Sequence, residues 1–402
     1  MVRLSFSFPT EIVEEGEVRV VVPKLEAYKR GTYEYAPSKA PVFYNPVMEL
    51  NRDLAVITLQ TYQNKIGRSL IVSEPLTGCG VRGIRFAKEV EGVERVLLND
   101  LNPLAVELTK HNISLNGLEG KVTVTNEDAN LFLSRHAAPH RRFDFIDIDP
   151  FGSPSPYIDS AVRALRDGGL IALTATDMAP LCGVYPNVSM RKYGGRSLRT
   201  EYCHEIAIRL LTGCLARTAA KHDAGVMPTF SYASDHYIRL YALISHGARE
   251  ADRTLRMMGY ILHCFSCFHR EVHPGLVPCL NDRCEECGSR LEVAGPLWLG
   301  RLFDKGFCGS MLLEASRREL RNRRRIVRLL TLIREEAEGP ITYYVADKVS
   351  DRFNLTVPPL SAVLNKLRDL GFQATPTHFN ARGFRTTAPA RVVRDVITEL
   401  AG

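Results

Sequence analysis

Eight residues in the middle of the chain, Asp147-Ile148-Asp149-Pro150-Phe151-Gly152-Ser153-Pro154, combine two carboxylates, a stiff turn and an aromatic ring. An exocyclic amine on a nucleobase is a poor nucleophile, because its lone pair is delocalised into the ring. A carboxylate and a backbone carbonyl that accept its two N–H bonds hold the amine in place and draw out nucleophilic character. Proline stiffens such a turn and leaves its own and the preceding carbonyl available. Phe151 offers the base a face to stack on, worth roughly 1–3 kcal/mol. Read without that chemistry, the same residues are a strand-ending proline, a buried phenylalanine and an N-capping aspartate.

The elements around this string place it. Phe143 to Ile148 is a short apolar run flanked by Arg141 and Arg142, which predicts a buried strand. Pro150 ends that strand, Gly152 and Pro154 make a turn, and Tyr157 to Leu165 has helical spacing. Asp-Pro-Phe therefore lies at the carboxyl end of a strand, where ligands bind in open α/β sheets. Upstream, the strand Leu70 to Val72 is followed by Glu74-Pro-Leu-Thr-Gly-Cys-Gly-Val-Arg-Gly83 and a helix through Phe86, Ala87 and Val90. Gly78, Gly80 and Gly83 have the G-x-G-x-x-G spacing of a nucleotide-binding turn. The first two let the backbone approach a ligand, and Gly83 lets helix and strand pack closely.

The next strand, Arg95 to Leu98, ends in Asn99-Asp100. An acid there accepts from both ribose hydroxyls of an adenosyl ligand, which fits NAD and S-adenosylmethionine alike. A third strand, Val122 to Thr125, ends at Glu127-Asp128-Ala129, where an aspartate can accept from the adenine amine. Those acids followed by Asp-Pro-Phe point to methyl transfer, because a dehydrogenase needs no amine-gripping motif. Each aspartate also suits a helix N-cap, and capping does not exclude binding.

A fifth strand, Gly168 to Thr176, leads into Thr176-Asp-Met-Ala-Pro-Leu-Cys-Gly183, where Asp177 is a second candidate pocket carboxylate. Arg191, Lys192, Tyr193, Arg196 and Arg199 suit either phosphate contact or a solvated helix face. A long helix is predicted from about Thr200 to Lys221. Pro228 to Ala233 and Tyr237 to Ile244 then form a hairpin around Ser234-Asp235-His236. Seven strands in this order, with the hairpin last, match a class I (Rossmann-like) methyltransferase sheet. Before it, Val18 to Val22 alternates as a strand after an acidic turn at Glu14, Glu15 and Glu17. The loop Lys29 to Asn45 carries Tyr33, Tyr35, Phe43 and Tyr44, which line a base pocket or simply pack on the domain.

The chain of 402 residues has room for two or three domains, and with 45% hydrophobic and 24% charged residues it has an ordinary globular composition. No apolar run approaches the roughly 18 residues needed to span a membrane. Met1 to Glu15 lacks a basic-then-apolar export signal, so a cytoplasmic protein is expected. A net charge of +7 and a pI near 8.9 favour an anionic partner. Of ten cysteines, Cys79, Cys182, Cys203, Cys214 and Cys308 are scattered and read as small core residues.

Cys264-Phe-Ser-Cys267 and Cys284-Glu-Glu-Cys287 are two C-x-x-C pairs with the spacing of a tetrahedral four-cysteine site, which predicts structural Zn2+. Cys279, His263, His269 and His273 are fallback ligands. From Glu314 to Ile333 the pattern is helical and crowded with arginine: 317, 318, 321, 323, 324, 325 and 328. Such a run reads as a phosphate-facing surface, although residues spread around a helix cannot all face one partner. Tyr343 to Asp351, Leu360 to Leu370, and the segments Phe372 to Thr377 and Gly383 to Thr387 complete a winged-helix-like arrangement. His378, Phe379, Arg382 and Arg385 fall on or near its wing.

Taken together, Pro41-Val-Phe-Tyr-Asn-Pro46, Asn51-Arg52-Asp53, Thr77 to Arg85, Asn99-Asp100, Asp128-Ala-Asn130, Asp149 to Pro154, Thr174 to Gly183 and Thr377-His-Phe379 resemble one family along nearly the whole chain. That family is the tRNA (guanine(26)-N2)-dimethyltransferases, in their archaeal form. The chain thus divides into a class I catalytic domain over 1–249, a zinc-ribbon-like four-cysteine insertion over 250–312 that rests on spacing and not on the family, and a winged-helix-like α+β domain over 313–402, to which the resemblance gives tRNA binding. The resemblance implies S-adenosylmethionine contacts at Arg52, Arg82, Asp100, Asp128 and Ala129. It makes Asp149, Pro150 and Phe151 the target-base site, with Phe43 nearby. It implies tRNA as partner, with no membrane and no obligate protein partner. Glu74 stands where the family is expected to have Asp, and Cys79 where Thr or Ser is usual. The main alternative is an amino-group methyltransferase acting on DNA adenine or protein glutamine. A non-enzyme reading, a regulator with a vestigial cofactor fold, has no use for Asp100, Asp128 and Asp149 together.

Overall fold

The computed structural model describes residues 6–28, 37–234 and 236–401. Tyr33 and Tyr35 of the predicted aromatic loop, and Asp235 of the hairpin turn, lie outside them. A seven-stranded sheet comprises β1 (Leu70–Glu74), β2 (Val93–Asn99), β3 (Val122–Thr125), β4 (Phe143–Ile148), β5 (Leu165–Ala175), β6 (Ala224–Ser234) and β7 (Tyr237–His246). Their order across the sheet is β3-β2-β1-β4-β5-β7-β6. β1 runs parallel to β2 and to β4, β2 runs parallel to β3, and β6 and β7 form the antiparallel hairpin. This is the class I arrangement that the sequence predicts.

By compactness the chain forms two units: Met1–Pro150 with Asp159–Ala172 and Ser310–Val327, and Phe151–Ile158 with Leu173–Gly309 and Arg328–Gly402. In the first unit, the apolar runs of β1, β2 and β4 bury Leu70, Val72, Val96, Leu98, Phe145 and Ile148 completely. The helices α1 (Glu49–Ile66), α2 (Val81–Glu89), α3 (Pro103–Leu115) and α4 (Ala129–Arg135) belong to the same unit. Proline at the first position and an Asn102 cap start α3. Asp128 caps α4 by accepting from the Asn130 and Leu131 amides. A Cβ at Gly83 would lie 2.3 Å from Leu98 Cδ2, so only glycine permits the observed approach of α2 to β2.

Two local readings need correction. The acidic turn at Glu14, Glu15 and Glu17 is instead the end of the strand Thr10–Glu15 and its tight turn into Val18–Pro23. Glu15 is buried there, because two arginines supplied from elsewhere in the chain compensate its charge. The basic helix Glu314 to Ile333 is two helices, Lys305–Arg317 and Arg323–Glu336. Asn322, a poor interior residue, starts the second by accepting at its carbonyl from the Ile326 amide. Arg318 turns inward to Glu314 Oε1 (2.6 Å) and the Glu89 carbonyl (3.0 Å). Arg321 pairs with Glu49 at 3.2 Å. Arg317, Arg321, Arg323, Arg324, Arg325 and Arg328 are exposed.

The second unit holds the long helix Cys203–Ala220 and a three-stranded antiparallel sheet of Arg270–Pro274, Met258–His263 and Glu292–Trp298. Toward the C-terminus come the helices Ala346–Arg352, Leu360–Asp369 and Ala390–Ala401 and a second small antiparallel sheet. In that sheet Gly383–Thr386 is central, between Tyr344–Val345 and Ala374–Pro376. Val363, Leu367, Phe384, Val393 and Ile397 form its core.

Candidate active site

The ends of β1, β2 and β3 are tied together by one fully buried side chain, Asn99. Its amide donates to the carbonyls of Pro75 (3.1 Å) and Glu127 (3.0 Å), and its Oδ1 accepts from the Glu127 amide (3.0 Å). Three loops from three strands are therefore fixed through one residue. On this frame Gly78 and Gly80 adopt positive φ, at 58° and 80°. The Gly78 amide donates to Asp100 Oδ2 (2.8 Å) and the Asn102 amide to Asp100 Oδ1 (2.9 Å). Burial raises the Asp100 carboxyl above its usual range, and those amides oppose the shift. Asp128 is exposed at the start of α4 and Ala129 behind it is buried. Beside Asp100, Leu101 is 66% exposed, and the Asn126 amide holds its carbonyl at 3.0 Å. An apolar surface next to two acids suits a purine nucleoside. The sequence reading overlooked Leu101, because nothing local marks a leucine as exposed.

Phe43 reaches the same loop through its backbone: a Cβ on Gly78 would lie 3.1 Å from the Phe43 carbonyl oxygen. Asn102 Nδ2 donates to the Pro41 carbonyl at 2.7 Å. The Pro41-to-Pro46 string is thus seated on the glycine turn, with Val42 and Tyr44 buried. Arg52 supports this string from behind. Its Nε and Nη2 meet the two Glu15 oxygens at 2.5 and 2.6 Å, and Nη2 also reaches the Asn45 carbonyl at 3.1 Å. Glu15 in turn meets Arg85 at 2.9 Å, and Arg85 binds Asp53 and Glu89. Burial pushes the Glu15 carboxyl up, but Arg52 and Arg85 outweigh it and the net shift is downward.

Arg82, on the first turn of α2, gathers the carboxylates. It is nearly fully buried and pairs with Asp149. Its Nε donates to Glu74 Oε1 (3.1 Å), its Nη1 donates to Asn51 Oδ1 (2.7 Å) and lies 3.5 Å from Asp147 Oδ2. Glu74 Oε2 accepts from Thr77 Oγ1 (2.8 Å) and the Gly83 amide (3.1 Å). Burial pushes the Glu74 carboxyl up to about 8; Arg82 opposes this, and Asp147 and Asp149 add to it. Burial is the main cause, and with two more carboxylates beside the one guanidinium it favours the protonated form of Glu74.

Asp149 is the exposed member of this group, with 18% of its side chain open, whereas Asp147 is sealed. Pro150 is buried and closes the strand, and the next residue, Phe151, is 69% exposed. A merely structural phenylalanine would be covered, so the bland reading of this string fails at Phe151. Gly152 has φ 81°, and its amide and carbonyl pair with Thr176 at 2.8 and 2.9 Å. Asp177 is held by Tyr193 (2.5 Å) and Lys192 (3.0 Å), so Lys192 of the basic stretch serves a carboxylate.

The four cysteines Cys264, Cys267, Cys284 and Cys287 converge, with all four sulfurs within 4.8 Å of one another. Cys264–Cys287 and Cys267–Cys284 are each 3.5 Å apart. A tetrahedron with Zn–S near 2.3 Å has edges of about 3.8 Å, so the residues fit zinc. The two turns are alike: the amides of Phe268 and Gly288 donate to the carbonyls of Cys264 and Cys284 at 2.9 Å, and both residues have positive φ, 63° and 70°. Cys279 is exposed and outside the cluster. His269 and His273 pair with Glu271, His263 is buried, and none of the three histidines joins the four-cysteine group.

Near the C-terminus, Thr377, His378 and Arg385 converge on the buried Glu336, at 2.5, 2.5 and 2.6 Å. Arg385 also meets Glu205 on the long helix at 2.9 Å. Burial raises the Glu336 carboxyl, but His378 and Arg385 overcome that and bring it down to about 2. Arg385 is therefore an internal residue, unavailable to an outside phosphate.

Residues 16–398 match the family of N2,N2-dimethylguanosine tRNA methyltransferases. A tRNA (guanine(26)-N(2))-dimethyltransferase of Methanothermobacter thermautotrophicus is 40% identical over 388 residues, which span 96% of this chain and 98% of that one. An Aquifex aeolicus tRNA (guanine(26)-N(2)/guanine(27)-N(2))-dimethyltransferase is 37% identical over 392 residues, 97% of this chain and 96% of that one. The structure of Trm1 from Pyrococcus horikoshii with S-adenosyl-L-methionine superposes with a TM-score of 0.84 at 34% identity, covering 96% of this chain and 99% of that one. These matches set aside DNA adenine and protein glutamine as the defining substrates. With a likeness that spans the glycine turn, the Asp-Pro-Phe string and the C-terminal Thr-His-Phe alike, this chain belongs to the N2,N2-dimethylguanosine tRNA methyltransferase family.

Proposed function

We propose that this chain transfers methyl groups from S-adenosylmethionine to the exocyclic N2 of guanine 26 in tRNA, forming N2-methyl- and then N2,N2-dimethylguanosine. The observation that carries this reading is Asp149, open at the end of β4 and oriented by the buried Arg82. S-adenosylmethionine supplies an activated methyl group on a sulfonium, so the protein's main task is positioning. Asp100 would hold the ribose hydroxyls, Asp128 and Ala129 the adenine edge, and Leu101 its face. Arg82 and Arg52 act as positioning residues, through Asp149 and through the Pro41-to-Pro46 string.

At the target base, Asp149 accepts one N2 hydrogen and later takes up a proton, and the Pro150 carbonyl accepts the other. Phe151 stacks on the guanine, and Phe43 is assigned to the same base. The base leaves its stack to reach this pocket, at a cost of a few kcal/mol. In the second round the monomethyl amine turns, leaving one hydrogen to be gripped. Cys264, Cys267, Cys284 and Cys287 hold structural Zn2+, whose four ligands all come from the protein. The division of labour follows 1–249 for catalysis, 250–312 for the metal and 313–402, winged-helix-like, for tRNA. The protein acts in the cytoplasm; no helix among the described residues is long and apolar enough to cross a membrane.

The test is incubation with labelled S-adenosylmethionine and unmodified tRNA transcripts, followed by nucleoside analysis. N2-methylated and N2,N2-dimethylated guanosine are expected, and both should vanish when the guanine at position 26 is replaced. Label that persists after that replacement would refute the assigned position.

A further inference from the structure

Outside the sites described so far, a second group of soft ligands lies in the unit that contains the long helix. The ligand atoms of Cys182, Cys203 and His204 all lie within 4.8 Å of one another, and all three residues are half-buried. None of the cysteines is in a disulfide. The geometry points to a second metal site at Cys182, Cys203 and His204, taking a thiophilic divalent cation such as zinc through two sulfurs and one imidazole, with a fourth position left to solvent.

The backbone builds this cluster from two sides. Cys182 closes the short helix Met178–Leu181, its amide donating to the Met178 carbonyl at 2.7 Å. Cys203 and His204 open the 18-residue helix Cys203–Ala220, where the peptide dipoles favour a thiolate. Two contacts lock the first element against the approach to the second. Ser197 Oγ donates to the Pro180 carbonyl at 2.6 Å. At Gly183, φ is 88° and a Cβ would fall 2.3 Å from the backbone of Leu198 and Arg199, so the two stretches touch main chain to main chain. Cys182 is thereby presented to Cys203 with little freedom to withdraw.

The donor set also selects the ion. Two thiolates and an imidazole suit zinc over magnesium or calcium, which want oxygen ligands. Zn–S near 2.3 Å and Zn–N near 2.0 Å call for ligand separations of about 3.5–3.8 Å. Side-chain adjustments of about 1 Å would close the present group to those values. A bound ion would clip the Thr176–Gly183 stretch to the long helix. Thr176 pairs with Gly152, and Asp177 with Tyr193, so the ion would stiffen the segment that backs the turn after Phe151.

Metal content decides the matter independently of methyl transfer. Full-length protein, Cys182→Ser and His204→Ala are each loaded with Zn2+, desalted and measured for zinc per chain, then repeated with Co2+ and its visible absorption. Each variant should hold one equivalent less than wild type and lose part of the cobalt–thiolate absorption. If Cys182→Ser does not fold, His204→Ala decides alone. Equal metal content in all folded forms would overturn the proposal. So would a thiol titration of the denatured, unreduced protein in which Cys182 and Cys203 fail to react, because that result makes them a disulfide.

Discussion

Asp149 and Glu74 share Arg82 but differ in exposure, and that difference separates the tasks proposed for them. Asp149→Ala is expected to lower methyl transfer at least about a hundredfold, the usual loss for a proton acceptor, while cofactor binding measured by calorimetry survives. Normal turnover in that variant would remove Asp149 from the chemistry. Glu74 gives a pH signature. Its carboxyl is raised to about 8 by burial, so the folded protein holds a proton that the unfolded chain releases near its usual value of 4.5. Its contribution to stability is therefore complete below that value and declines as pH rises, until it is lost through pH 8. Glu74→Gln should flatten the fall in melting temperature between pH 5 and 8; an unchanged slope would show that Glu74 does not carry that proton. Asp149, Asp100 and Asp128 were legible in the sequence because each ends a strand that its own apolar run announces. The Glu15 pairing was not. Its partners Arg52 and Arg85 lie 37 and 70 residues away, and no local pattern marks an acid as compensated.

At the scale of elements, the paired cysteine turns were the most legible part of the chain, since their chemistry is written in spacing alone. Phe268 shows what spacing leaves out. It holds φ 63° where its counterpart is Gly288, a conformation that costs a non-glycine residue about 1–3 kcal/mol. The ring also packs on the C-terminal helical core, which explains why phenylalanine is tolerated there. Cys264→Ser should abolish one equivalent of bound zinc and expose the 258–298 segment to protease; retention of both zinc and resistance would contradict a structural four-cysteine site. The basic run was misread as one helix because arginine has good helix propensity and its partners are invisible locally. Likewise Thr377-His-Phe379, singled out by resemblance, turns out to seal Glu336. Glu336→Gln leaves Arg385 short of a charge and should destabilise the protein by about 3–5 kcal/mol at neutral pH. The Glu336 carboxyl is depressed to about 2, so its contribution is present above about pH 4.5 and lost as pH falls toward 2. Chemical denaturation at pH 7 and pH 3 should show the gap between wild type and variant narrowing in acid.

For the molecule as a whole, the strand order and the net charge of +7 were readable from the start, because the apolar runs and composition are global features. Which positive charges face solvent was not. Arg317, Arg321, Arg323, Arg324, Arg325 and Arg328 are exposed, Arg321 while also pairing with Glu49, whereas Arg318 and Arg385 are drawn inward to the protein's own carboxylates. Replacing Arg317, Arg323, Arg324 and Arg328 with alanine should weaken tRNA binding at least about tenfold and flatten its dependence on salt. Unchanged affinity in a filter-binding titration would make this face merely solvated. The cluster around Arg82 has one further consequence, for turnover. With one cation among three carboxylates, and Glu74 holding a proton, this corner of the pocket favours a positively charged guest. A methyl donor arrives as a sulfonium and departs as a neutral thioether. The attraction thus fades once the methyl has gone, which favours exchange of the spent donor for a fresh one. Two methyl groups on one nitrogen require two donor molecules in turn.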